Sequence, residues 1–134
     1  MRVVVDTNVL VSGLLGAYSN PGEIVRMVSS GSLELCHDSR ILEEYREVLL
    51  RPKFSFQKTD LEFLLDKIHS SGHVVAAQPL DVSLADPDDE PFLEVALSGK
   101  ASYLITGNLK DYAAFHGKNL KIISPKDFLK VYKK

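Results

Sequence analysis

Tryptophan is absent from this chain of 134 residues, and cysteine occurs once, at Cys36. A single thiol excludes an intrachain disulfide and a cysteine-rich zinc site, and it fits a reducing, cytoplasmic setting. No apolar run approaches the ~18 residues that span a bilayer. The opening valines reach Asp6 before a signal-peptide apolar region can form. Excess basic charge is missing too: the formal net charge is −2 and the pI about 6.1, without the basic footprint of most nucleic-acid binders. Repeats, low-complexity segments and flexible linkers are likewise lacking. What is present is ordinary globular material, 45% apolar and 25% charged, expected to form one domain over residues 1–134 with a core of its own.

Short β-rich runs alternate with helical patterns. Arg2–Val5 reads as a strand buried on both faces, because consecutive valines lack the polar alternation of a half-exposed strand. A helix is expected from about Asn8 to Leu15. Asn20-Pro21 opens another, with proline at the first helical position, and it runs to Gly31. Leu33–His37 is the next strand, followed by an amphipathic helix over Ser39–Arg51 that Pro52 stops. Thr59-Asp60-Leu61-Glu62 has capping-box spacing and opens a helix that Gly72 closes. His73–Ala76, Tyr103–Ile105 and Leu120–Ile123 read as strands, Pro91–Ser98 and Pro125–Tyr132 as helices. This alternation predicts crossover units and a parallel sheet covered on both faces, a three-layer α/β domain. The functional crevice of such sheets lies at the carboxyl ends of the strands. Asp6 stands at one of those ends.

Further carboxylates fall near the same edge. In Ser39–Arg51 the helical period places Ile41, Leu42, Tyr45, Val48 and Leu49 on one face, Glu43 and Glu47 opposite it, and Glu44 at its margin. A carboxylate at that margin needs a cation or a hydrogen-bond donor, so Glu44 is either ion-paired or part of a site. In LADPDDEPFLEVALSG the helix beyond Pro91 is too apolar for the surface, which puts Asp88, Asp89 and Glu90 at the entrance of a buried helix. Asp89 or Glu90 can cap it, and at least one acid is left over. The fourth strand delivers Thr106-Gly107-Asn108, with Asp111 one turn later, either capping a short helix or facing the crevice. Acids also crowd between Asp81 and Glu94, and Lys126, Lys130, Lys133 and Lys134 gather at the C-terminus; read alone, each cluster is a solvated face. His37, His69, His73 and His116 lack ligand-like spacing and are assigned to surface or loop positions, and Cys36 to a buried apolar one.

Carboxylates converging at strand ends form a self-repelling, oxygen-rich site, which suits Mg2+ or Mn2+ better than zinc. The chemistry implied is metal-assisted hydrolysis of a phosphodiester.

The chain at this point resembles a PIN domain, the nuclease family that includes the VapC-type toxins of toxin–antitoxin pairs. The likeness runs, in order, through VVVDTNVLVSGLL, SRILEEYREVLLRPKF, DPDDEPFLEVALSGKASYLITGN and IISPKDFL. It implies a five-stranded, mostly parallel sheet in the order 3-2-1-4-5, Mg2+- or Mn2+-dependent endoribonuclease activity, homodimers, and inhibition by a small antitoxin. By this similarity Asp6, Glu44 and Asp89 are the catalytic, metal-binding acids, with Thr7 and Asn8 shaping the loop beside Asp6 and Thr106 in support. Many relatives carry an aspartate directly after Thr-Gly, where this chain has Asn108; its carbonyl can ligate, and Asp111 offers the missing carboxylate. Arg46, Arg51 and Lys53 lie beyond Glu44 and are candidates for holding an RNA backbone, although charges at a helix end also complement its dipole.

Two other readings stay open. A PIN-like module without catalysis, binding RNA or a protein, is favoured by Asn108. A phosphoacceptor receiver domain would use Asp6, Thr106 and Lys126, but His73–Ala76 is followed by Ala77-Gln78-Pro79, with no acceptor aspartate.

Overall fold

A computed structural model describes residues 1–133; Lys134, the last of the C-terminal lysines, lies outside them. The chain runs β1 (Arg2–Val5), α1 (Thr7–Leu15), α2 (Asn20–Ser29), β2 (Glu34–His37), α3 (Ser39–Leu49), α4 (Lys58–Ser71), β3 (His73–Val74), α5 (Glu90–Ser98), β4 (Tyr103–Ile105), β5 (Lys121–Ile123) and α6 (Pro125–Tyr132). Single 3-10 turns occupy Pro52–Phe54, Pro87–Asp89 and Leu109–Tyr112. The strands form one parallel sheet in the order β3-β2-β1-β4-β5 with helices on both faces, the three-layer α/β/α arrangement expected.

Val3, Val4 and Val5 are wholly buried, and full burial stabilises by roughly 1.5–3 kcal/mol for each such side chain. That burial makes β1 the centre of the sheet. Helix α5 packs against β1, β2 and β4 through Phe92, Leu93, Val95 and Ala96, while α2 packs on α1, α4 and α6. Contact between α1 and α2 depends on Gly13, where a Cβ would stand 2.5 Å from Val25 Cγ2 and 2.6 Å from the Pro21 carbonyl oxygen. Among the described residues no helix is long and apolar enough to cross a membrane.

The boundaries depart from expectation where side chains found partners elsewhere. The capping box does not form: α4 starts at Lys58 with no side-chain cap, because the Glu62 carboxylate is taken by Arg46 of α3. The third strand is two residues long. After Val75 N–H donates to the His37 carbonyl, the chain leaves the sheet, and Gln78 N–H donates to Ser98 Oγ of α5. Helix α3 ends at Leu49, earlier than Arg51, and passes into the turn begun by Pro52.

One further correction concerns His37. It is buried at the end of β2, not on the surface, because Gly72 packs directly over it; a Cβ there would lie 2.8 Å from the imidazole Cδ2. Neither ring nitrogen has a hydrogen-bond partner among the described residues, and burial holds its pKa below the usual value. Cys36 is buried as expected, with its thiol pushed up to about 11.

Candidate active site

Neighbouring strands β1 and β4 are paired with Val5 opposite Ile105, so the next residue on each, Asp6 and Thr106, emerge side by side. The strand order reverses direction beside β1, and a crevice opens there at the carboxyl ends of the strands. Asp6 N–H donates to the Ile105 carbonyl at 2.9 Å, and Thr106 N–H to the Ile123 carbonyl at 3.0 Å, so both backbones are fixed by the sheet. Asp6 is 4% exposed. Its Oδ2 accepts a hydrogen bond from Thr106 Oγ1 at 3.0 Å and a second from the Tyr112 hydroxyl at 2.9 Å. These bonds favour the carboxylate, but burial outweighs them and raises the Asp6 pKa, with the charge of Asp111 adding to the rise.

The loop after β4 is built around the same threonine. Thr106 Oγ1 accepts from Asn108 N–H at 3.1 Å and from Asn8 Nδ2 at 3.5 Å, which directs its own proton to Asp6. Asn8 Oδ1 in turn accepts from Gly107 N–H at 3.0 Å. Asn8 therefore joins the start of α1 to the turn after β4. Asn108 stands exposed and donates from Nδ2 to Asp111 Oδ1 at 3.1 Å, orienting that carboxylate.

Glu44 is half-buried, whereas Glu43 and Glu47 face water, as the helical period requires. Among the described residues it meets no cation: its Oε2 accepts from the Thr7 hydroxyl of α1. Burial raises its pKa first, and the charges of Asp6 and Asp88 raise it further. The DPDDE stretch divides its acids by task. Asp86 accepts from Asp88 N–H at 2.9 Å, Glu90 accepts from Leu84 N–H at 3.0 Å, and Glu94 pairs with Arg40 at 2.7 Å. Asp89, at the first end of α5, makes no capping bond. Its carboxyl is raised from 3.8 to about 7, by burial first and then by the charges of Asp6, Asp111, Asp86 and Glu44.

The charges of Asp6, Glu44 and Asp111, from three other stretches of chain, thus all reach Asp89. The donor set is oxygen only and mutually repelling, the chemistry that a hard divalent cation relieves. The ring is open: among the described residues no three His, Cys, Asp or Glu side chains stand close enough to enclose a metal ion. The candidate RNA contacts are occupied by other groups. Arg46 is ion-paired with Glu62, Arg51 with Glu47 at 3.1 Å, and Lys53 Nζ lies 5.1 Å from the Phe54 ring centroid.

Two tyrosines of the site went unnoticed in the sequence. Tyr45, wholly buried in α3, donates its hydroxyl to the Val5 carbonyl beside Asp6. Tyr112 reaches Asp6 across 106 positions of sequence. Tyr45 read as an apolar-face residue, and Tyr112 follows Asp111 in a turn without periodicity; neither pattern signals a partner.

A profile of the PIN domain matches residues 2–110. The chain belongs to the PIN domain family. An uncharacterized protein of Methanocaldococcus jannaschii is 28% identical over 145 aligned positions, which cover all of this chain and 93% of that relative. PIN domains are generally nucleases, which suggests a nuclease-type function for this chain.

Proposed function

We propose that the protein is an Mg2+- or Mn2+-dependent endoribonuclease that hydrolyses RNA phosphodiester bonds. The observation that carries this reading is the ring of carboxylates at the ends of β1 and β4, where Asp89 is held near neutrality largely by burial and the other acids. Asp6, Glu44 and Asp89 would hold the cation, and Asp111, oriented by Asn108, would supply the fourth acidic group that Asn108 itself lacks. A bound divalent cation supplies the positive charge that lets a phosphodiester approach these acids and acidifies an attacking water. Thr7 keeps Glu44 turned toward the crevice, and Asn8 and Thr106 hold the loop that carries Asp111. In the fuller form of this proposal the protein is a cytoplasmic, homodimeric toxin component, restrained by a small antitoxin protein. Arg46, Arg51 and Lys53 contact the RNA backbone once released from their present partners.

The test is cleavage of a mixed RNA substrate in the presence of Mn2+ or EDTA. Cleavage should need the ion and vanish in Asp6→Asn; equal cleavage by that variant sinks the assignment. Growth arrest on expression, relieved by the same substitution, tests the toxin role.

A second reading, a PIN module that binds RNA or protein without cutting, draws on the open acid ring and on Asn108 at the fourth position. Calorimetric titration with Mn2+ separates the two, since only the nuclease has a saturable site.

A further inference from the structure

We propose that Tyr112 is a positioning residue for Asp6, fixing which carboxylate oxygen faces the crevice and where Asp111 stands relative to it. The inference rests on the cation-site reading above. The Tyr112 hydroxyl and Thr106 Oγ1 both donate to the same oxygen, Oδ2 of Asp6, at 2.9 and 3.0 Å. Oδ1 takes no side-chain hydrogen bond among the described residues. The two donors therefore hold Oδ2 away from other duty, while the Asn8 backbone N–H also favours the carboxylate, and Oδ1 would be the oxygen offered to a cation. Both are buried, Tyr112 at 2% and Thr106 at 0% exposure, so water does not substitute for either.

Tyr112 does a second thing, at the far end of the turn whose start Thr106 holds. It closes the Leu109–Tyr112 turn, which also carries Asp111. Within the turn Asp111 N–H donates to the Asn108 carbonyl at 3.2 Å and Ala113 N–H to the Lys110 carbonyl at 3.2 Å, while Asn108 N–H, at its start, donates to Thr106 Oγ1 at 3.1 Å. The phenol is the side-chain hydrogen bond that ties this turn to β1. One hydroxyl thus sets the spacing between the first and fourth acids of the ring. Groups that orient a ligating carboxylate typically contribute 10–100-fold to metal affinity.

The experiment compares Mn2+ affinity, by electron paramagnetic resonance of free ion and by calorimetry, in the wild type and Tyr112→Phe. Thermal melting in EDTA is recorded alongside. The substitution keeps the ring and its packing and deletes only the donor. The expected result is Mn2+ binding weakened by about 10-fold or more in a variant that remains folded. A purely structural tyrosine would lower the melting temperature and leave the affinity unchanged, and that result overturns the inference alone. Absence of saturable Mn2+ binding in the wild type overturns the cation site and this inference with it. If Tyr112→Phe does not fold by circular dichroism, Thr106→Val removes the other donor to Oδ2. Unchanged affinity there overturns the clamp, and a comparable loss sustains it.

Discussion

Replacing Asp6 by asparagine should stabilise the metal-free protein while destroying its cation site. Asp6 is buried with a raised pKa, and its charge is the largest contribution after burial to holding Asp89 near 7 in place of 3.8. A displacement of ~3 pK units corresponds to on the order of 4 kcal/mol against the ionised Asp89 carboxylate, with burial the largest cause and the charge of Asp6 the next. Asp89 is partly open to solvent, and with screening the share belonging to Asp6 is at most about 1 kcal/mol. Asparagine has the same shape, and its carbonyl can take the Oδ2 position and keep both the Thr106 and Tyr112 donors. With an unfolding entropy of ~2 cal/mol/K per residue, the gain is up to about 4 °C in melting temperature. Differential scanning calorimetry at pH 8 in EDTA measures it. Added Mn2+ should raise the wild-type melting temperature, by about 2.7 kcal/mol of linked stability at a hundredfold excess over Kd, and leave the variant unmoved. A variant that melts below the wild type in EDTA and still responds to Mn2+ refutes the reasoning.

Three further outcomes follow from the same structure. Because the Asp89 pKa is raised from 3.8 to about 7, the folded state binds more protons than the unfolded state between those values, and metal-free stability falls as pH rises through that window. Asp89→Asn should therefore melt above the wild type at pH 8, with the gap closing toward pH 4; a gap independent of pH contradicts the assignment. His37 has the opposite sign: its folded pKa lies below the usual 6.5, with burial as first cause and His69 and His73 opposing Asp38. The stability it allows above pH 6.5 is lost as pH falls below that value, and melting of His37→Leu against pH should lack this acid-side loss. Gly13→Ala forces a methyl against Val25 and the Pro21 carbonyl, a misfit of about 1–3 kcal/mol, and urea denaturation should record the loss.

Legibility followed locality. Valines without polar alternation announced a central buried strand, and β1 is buried throughout. The margin position of Glu44 followed from a 3.6-residue period, and the structure leaves it half-buried between exposed Glu43 and Glu47. The surplus of acids before α5 was also visible, but not which acid was spare. Asp86 and Glu90 were drawn to backbone N–H groups of their own loop, and Asp88, exposed, and Asp89, partly buried, were left. The capping box at Thr59 failed for the same kind of reason, since Arg46 on another helix claimed Glu62.

By itself, then, the sequence determined the alternation of strands and helices, the buried centre of the sheet, and the set of acids presented at its carboxyl edge. These rest on near-neighbour periodicity and on the cost of burying polar groups, both written within a few residues. Tertiary structure alone decided how the acids are held: Thr106 and Tyr112 on one oxygen of Asp6, Thr7 on Glu44, Asn108 on Asp111. It also buried His37 without a partner among the described residues. Hydrogen bonds between groups as much as 106 positions apart depend on strand pairing and register, and no local pattern encodes them.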